Sequence, residues 1–286
     1  MKLVQLRKKT GIRLGIITTG DRVVDVEKEG LHRQIAVPET MMDVIEGGES
    51  TMAVLKKIED DASFFADEPI APAISNPGKV LCIGLNYKKH AKECNLPLPK
   101  NPALFNKFQN AIAGSEDAVI LPSRYKEYDY EAELVVIIGK SARNVKKEHA
   151  LEYVFGYTCG NDLSTRDLQF ERAGQWVLSK TFDNFAPIGP CIVTADSINP
   201  DSLHIWSKVN GEIRQDSNTS DLIFSVAEII EDLSNHFTLM PGDVIFTGTP
   251  EGVVYGSSDK NWLKPGDVVE IGIAGIGVLK NYLIGE

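Results

Sequence analysis

Glu127-Tyr128-Asp129-Tyr130-Glu131-Ala132-Glu133-Leu134-Val135-Val136-Ile137 puts an acid at every second residue and then keeps the same parity with Val135 and Ile137. Alternate residues of a strand share one face, so this acidic stripe runs into a face that is buried. For the outer pair, Glu127 and Asp129, a solvated edge strand is the expected reading. For Glu131 and Glu133 that reading weakens, because adjacent buried carboxylates raise one another's pKa unless a cation neutralises them. A metal ion is the simplest such cation.

Working outward, short strand-like runs dominate: residues 80–85, 130–138, 154–159, 188–193, 203–209, 244–247, 268–273 and 277–282. Pro241-Gly242-Asp243 and Pro265-Gly266-Asp267 mark tight turns that each feed a strand. Beyond residue 75, helical spacing marks residues 164–171 and 220–233, the latter through Ile223, Phe224, Ala227, Ile230 and Leu233. Towards the N-terminus, residues 1–45 read as a small antiparallel sheet with turn signals at Thr10-Gly11 and Gly20-Asp21. Residues 40–65 turn helical, split at Gly47-Gly48. Pro69, Pro72 and Pro77 then punctuate a linker. The expected organisation is α+β, mainly β, with a small N-terminal domain over 1–75 and a metal-binding catalytic domain over 76–286.

The 286 residues carry 30 Lys and Arg against 40 Asp and Glu, a formal charge of -10. No electrostatic footprint for nucleic acid follows from that balance. No apolar run approaches the roughly 20 residues a bilayer crossing needs. Cys82, Cys94, Cys159 and Cys191 form neither a C-x-x-C pair nor a regular spacing, so they read as reduced thiols and the chain as cytoplasmic.

Three further stretches carry chemistry. In Gly160-Asn161-Asp162-Leu163-Ser164-Thr165-Arg166-Asp167-Leu168-Gln169 a strand gives way to a helix. Asp162, Arg166 and Gln169 share one face if the helix starts at Asp162, the alternative being an N-cap at Asp162 or Ser164. An all-oxygen set without convergent His or Cys selects Mg²⁺, Mn²⁺ or Ca²⁺ over zinc. His90 and Glu93 stand at i and i+3, where a carboxylate can orient an imidazole into a general base; an exposed surface pair is the alternative. Residues 86–102, polar and proline-flanked, read as a lid that orders on binding. Lys180 lies among residues too apolar for a casual surface lysine and suits a developing enolate or carboxylate. Thr247-Gly248-Thr249-Pro250-Glu251-Gly252 offers backbone donors to an anion. His32, His149, His204 and His236 have no comparable setting.

Together these motifs, Gly84-Leu-Asn86-Tyr87-x-x-His90-x-x-Glu93, Tyr130-Glu131-Ala-Glu133-Leu, Asn161-Asp162-x-Ser-x-Arg166-Asp167-x-Gln169, Lys180-x-Phe-Asp183 and Thr247-Gly-Thr249-Pro-x-Gly252, resemble the fumarylacetoacetate hydrolase family over about residues 78–284. The branch resembled holds acylpyruvate hydrolases, oxaloacetate decarboxylases and dienedioate isomerases. The resemblance implies a mixed β-roll catalytic domain and a homodimer. It implies metal ligation by Glu131, Glu133 and Asp162, a water-activating dyad of His90 and Glu93, and substrate contacts from Arg166, Gln169, Lys180 and Thr249. The substrate it implies is a small 2-oxo acid. C-C hydrolysis of acylpyruvate-type 2,4-dioxo acids through a pyruvate enolate is the expected activity, with oxaloacetate decarboxylation or dienedioate isomerisation as the alternative and a non-catalytic keto-acid or metal binder more remote. Larger eukaryotic members have a metal-site aspartate where this chain has Asn86, so fumarylacetoacetate hydrolysis itself is not expected.

Overall fold

The computed structural model describes residues 1–9, 11–171 and 176–286. Thr10, in the first expected turn, lies outside the described residues. Two β-sheets pack face to face and carry the catalytic architecture. The larger runs, edge to edge, through Phe65–Ala66, Val23–Asp25, Gly11–Ile17, Lys2–Lys8, Ala186–Thr194, Val154–Asn161, Ala132–Ile138, Val244–Phe246, Val80–Gly84 and Ala103–Lys107. Ile112–Ala113 pairs beside it with Ala186–Thr194. The smaller runs through Glu212–Asn218, His204–Val209, Val268–Ile273, Gly277–Gly285 and Ala118–Leu121.

Ala132–Ile138 is buried along its whole length, and its two parities feed two cores. Leu134, Val136 and Ile138 meet Ile205, Ile271 and Leu279 of the smaller sheet. Val135 and Ile137 meet Leu3, Leu14, Met41, Val44 and Leu55, so the second core lies between the larger sheet and the N-terminal helix Met41–Glu59. A strand covered on both faces reads as a continuous apolar run, and Leu134 to Ile138, directly after the acids, form such a run. The Met41–Glu59 helix kinks at Gly48, whose φ of 57° is open to glycine without strain.

All eight expected strands are present, Val268–Ile273 with the expected bounds and the other seven with shifted ends. The expected helices start later than their apolar spacing suggested. Ser164–Thr165 pairs with Tyr128–Asp129 as a short ladder, so the helix Arg166–Glu171 begins only at Arg166, and Asp162 stands ahead of it. Helix Val226–His236 begins where Ser225 and Glu228 close a capping box; residues before it form a turn over Thr219–Asp221 and a bridge from Leu222 to Tyr87. The N-terminal strands are not a separate sheet, since Leu3 registers against Ile192 and extends the larger sheet. No helix among the described residues is long and apolar enough to cross a membrane.

Candidate active site

Strand register assembles the site. Glu133 lies opposite Gly160 and Ala132 opposite Asn161, while Phe246 pairs with both Val135 and Cys82. The start of Ala132–Ile138 therefore meets the ends of Val154–Asn161, Val244–Phe246 and Val80–Gly84. A Cβ at Gly160 would stand 2.4 Å from Val135 Cγ2 and 2.6 Å from the Phe246 ring, so only glycine allows this crossing. Gly248, at φ 102°, turns the chain after Val244–Phe246 and donates its N–H to Glu133 Oε2 at 2.6 Å.

The acids Glu131, Glu133 and Asp162 are all buried, and one oxygen from each lies within 4.8 Å of the others. Three buried cations share the charge. Lys180 Nζ donates to Glu131 Oε2 at 2.7 Å and to Asp162 Oδ2 at 3.0 Å. Arg166 donates to Glu131 Oε1 at 2.6 Å and Asp129 Oδ2 at 2.9 Å, and its third edge meets Gln169 Oε1 at 2.9 Å. Lys107 Nζ lies 2.6 Å from Asp162 Oδ1. That approach is off the direction of a hydrogen bond, so Oδ1 has Coulombic contact but no directed donor. Burial works to raise the pKa of Glu131, yet Lys180 and then Arg166 overcome it and hold the carboxyl at about 2. Glu133 has only the Gly248 N–H, and burial, then Asp162 and Glu131, push it well above the usual carboxylate range. Burial lowers the Lys107 pKa, offset in part by Asp162. Lys180 is raised despite burial, by Asp162 and Glu131.

One expectation is corrected here. Asp129 is not on a solvated edge: it is fully buried, ties down Arg166, and accepts the N–H groups of Val254 and Tyr255 at 2.8 and 3.0 Å. The cation expected beside the buried acids is supplied in part by the protein itself, because the lysines and arginine compensate Glu131 and Asp162. A hard divalent cation still fits the uncompensated part of the cluster: Glu133 has no cationic partner among the described residues, Asp162 Oδ1 has no directed donor, and all the donor atoms are carboxylate oxygens.

His90 is on the short helix Lys88–Glu93 and is buried, which removes the exposed-pair alternative; its Nδ1 lies 3.3 Å from Glu93 Oε2. Burial disfavours its charge, but Cys94 and Glu93 beside it outweigh that and push its pKa up to about 9. Gly252 N–H holds the Glu93 carboxylate at 3.1 and 3.3 Å. Within the segment expected to act as a lid, residues 86–102, Asn86, Tyr87, His90 and Ala91 are buried, and Asn86 ties the chain to Thr247 and Phe224. Leu96 and Leu98 farther along the segment are exposed.

His90, Glu131, Glu133, Arg166, Gln169, Lys180 and Thr249 line one cavity of about 230 Å³, closed by Phe105, Phe170, Trp176 and Tyr255. Asp162 meets it through Lys180. Two wider grooves of about 660 and 670 Å³ beside Met52 and Thr194 gather no such cluster of buried acids. Sequence reasoning missed Lys107, Asp129 and the aromatic walls. The signal for Lys107 was parity: it falls with Phe105 on the inward side of Ala103–Lys107, opposite the exposed Leu104.

Residues 79–284 match the family described as fumarylacetoacetate (FAA) hydrolase, C-terminal. Oxaloacetate tautomerase FAHD2A, mitochondrial, of Bos taurus is 39% identical over 297 aligned residues, covering 99% of this chain and 92% of that protein. The fumarylacetoacetate hydrolase of Exiguobacterium antarcticum is similar in structure, with a TM-score of 0.86, 32% identity and full coverage of both chains. Maleylpyruvate hydrolase of Sphingobium sp. SYK-6, solved in complex with manganese (II) ion and pyruvate, has a TM-score of 0.82 and 30% identity, covering 100% of this chain and 99% of that one. The expected cytoplasmic location is corrected by the curated relatives, which are named as mitochondrial in Bos taurus and Homo sapiens. Unpaired cysteines report a reducing compartment, and that property does not single out the cytoplasm.

Proposed function

The chain belongs to the fumarylacetoacetate hydrolase family, and from that premise we propose that this enzyme interconverts the keto and enol forms of a small 2-oxo dicarboxylic acid, with oxaloacetate as the substrate and Mg²⁺ or Mn²⁺ as the ion. The observation that carries the reading is the convergence of a proton-carrying imidazole and the buried acid-and-cation cluster on one small cavity. Its volume suits a four-carbon diacid. Held by Glu131, Glu133 and Asp162, the ion would supply Lewis-acid polarisation of the 2-oxo oxygen.

The chain's own residues supply the rest. Lys180 and Arg166 are the cations available to a substrate carboxylate and to charge developing on its oxygen. Thr249 Oγ1, fixed by Gln215 Nε2 at 2.8 Å, and Gln169 offer orienting hydrogen bonds. Toward the keto form, His90, kept in place by Glu93, gives a proton to the carbon beside the carbonyl while the enol O–H proton leaves to solvent; in the reverse direction the imidazole takes the carbon's proton and solvent reprotonates the oxygen. Keto–enol exchange moves one proton and breaks no carbon–carbon bond; the raised pKa of His90 favours the protonated form that delivers this proton, and the neutral form takes it back in the reverse direction. Hydrolysis of a 2,4-dioxo acid, the activity first expected, asks instead for a neutral imidazole that takes a proton from water. It is the second reading, supported by the similarity to a maleylpyruvate hydrolase. Decarboxylation of oxaloacetate would release CO2 and form the same pyruvate enolate as that hydrolysis.

Decay of the oxaloacetate enol absorbance, and pyruvate release from oxaloacetate and acetylpyruvate, separate these activities. Enol decay should be fastest with Mn²⁺ and fall to the solvent rate on chelation. His90→Ala should slow it by about 100- to 10,000-fold, and Lys180→Ala should slow it as well. Enol decay at the solvent rate in the Mn²⁺-loaded parent would overturn the reading, and rapid pyruvate release from acetylpyruvate would put hydrolysis in its place.

A further inference from the structure

His90, Glu93 and Cys94 bring an imidazole nitrogen, a carboxylate oxygen and a thiol to one corner of the cavity, every pair within 4.8 Å. Their i, i+3, i+4 spacing stacks them on one side of the Lys88–Glu93 helix and its C-terminal residue. This donor set differs in kind from the carboxylate cluster, because it includes nitrogen and sulfur. A tetrahedral zinc ion, with bonds of about 2.3 Å to sulfur and about 2.0–2.1 Å to nitrogen or oxygen, separates sulfur from nitrogen by about 3.5 Å and nitrogen from oxygen by about 3.4 Å. Here His90 Nδ1 stands 3.3 Å from Glu93 Oε2 and 3.9 Å from Cys94 Sγ. A small rotation of the cysteine side chain closes the longer edge. Gly252 N–H already holds the carboxylate from behind, as an outer partner of a ligand does. Cys94 is partly exposed and lines the cavity, so an ion has a path in, whereas Cys82, Cys159 and Cys191 are buried.

We propose that His90 Nδ1, a carboxylate oxygen of Glu93 and Cys94 Sγ form a second, thiophilic metal site for ions of the Zn²⁺ class, separate from the all-oxygen site, and that filling it inhibits the enzyme by replacing the Glu93 contact that holds the imidazole and by excluding the protonated imidazole. Binding releases the Cys94 thiol proton and the His90 Nδ1 proton to solvent and leaves the fourth position for water or a substrate oxygen. The inhibition rests on the role proposed for His90; the binding does not, so the two are measured separately.

Binding is read by adding Co²⁺ to the full-length protein in excess Mg²⁺. A thiolate-to-cobalt charge-transfer band should saturate at one equivalent, vanish in Cys94→Ser and persist in Glu131→Gln. Absence of the band in the parent, or its survival in Cys94→Ser, overturns the site. For inhibition, each protein is compared with its own zinc-free rate at saturating Mg²⁺. Cys94→Ser should need at least about tenfold more Zn²⁺ for half-inhibition. Equal sensitivity of the two proteins overturns the inhibitory role, and the cobalt band decides the site even if the substrate is not oxaloacetate.

Discussion

Glu133 is the residue on which the electrostatics of the cavity turns. Lys180, Arg166 and Lys107 compensate Glu131 and Asp162, and Glu133 is left with one backbone donor. A buried carboxylate without a cation either stays protonated or costs stability, so its raised pKa is the expected response. An acid whose folded pKa lies above its ordinary value of 4.5 binds a proton in the folded protein that the unfolded chain has released, so metal-free stability falls as pH rises above about 4.5. Glu133→Gln removes that penalty and, on the proposed ligation, one metal ligand as well. In chelator the variant should therefore melt higher than the parent, by a margin that widens between pH 5 and pH 8, while Mn²⁺ should raise the melting temperature of the parent only. Thermal melts with and without Mn²⁺ check both halves, and a variant that melts lower than the parent in chelator would show that Glu133 is compensated. The acid pair was legible in the sequence because strand parity continued into Val135 and Ile137. Asp129 had the same parity and was misjudged, since nothing local announces that Arg166, 37 residues away, buries it.

Elements with apolar inward faces were legible, and elements with polar inward faces were not. Val268–Ile273 alternates its burial with its hydropathy and was found to the residue. Glu212–Asn218 points Gln215 and Ser217 inward and leaves Ile213 exposed, so its period is invisible to hydropathy. Gln215 is inward because it accepts the Ala132 N–H and steers Thr249 and Pro250 at the cavity rim. Helix Val26–Arg33 hid likewise, burying Val26, Glu29 and Gly30. Helix Val226–His236 shows what a readable start looks like. Ser225 accepts from the Glu228 N–H, Glu228 Oε2 accepts from Ser225 N and Oγ at 2.8 Å, and Lys147 Nζ lies 2.7 Å from Glu228 Oε1. Lys147, and then the Ser225 N–H, hold the Glu228 carboxyl at about 2. A depressed acid stabilises the fold above its ordinary pKa of 4.5, and that contribution is lost as pH falls through about 2. Glu228→Gln keeps an acceptor for the cap and removes the charge. Urea midpoints should show it modestly less stable than the parent at pH 7, because the pair is largely exposed. The gap should narrow below about pH 4.5, and a gap that stays constant down to pH 3 would assign the loss to the cap and not to the charge.

At the scale of the molecule, the pairing that matters joins residues almost 200 positions apart, and no local pattern encodes it. Lys2 and Leu3 register against Val193 and Ile192, and the N-terminal amine reaches Thr194 Oγ1 at 2.9 Å. Gln5 Nε2 donates to Pro72 O at 2.6 Å, so the proline segment lies back along the first strand. Val4 and Leu6 belong to the core between the sheets, while Leu3, Leu14 and Met41 share the other core with Ile137, Ile188 and Phe246. The proposed division at residue 75 follows composition, and the family match beginning at residue 79 lies close to it. The shared sheet and cores nevertheless set how the chain should unfold. Removing residues 1–75 would uncover one edge of Ala186–Thr194 and strip both cores of neighbours. An exposed, long and apolar edge invites pairing with other chains. Full-length protein should therefore unfold in a single transition, with near- and far-ultraviolet circular dichroism coincident, and the 76–286 fragment should aggregate or melt far lower. Two separable transitions in the full chain, or a monomeric fragment with the parental melting temperature and intact Mn²⁺ binding, would show instead that the N-terminal strands lean on a catalytic body that stands without them.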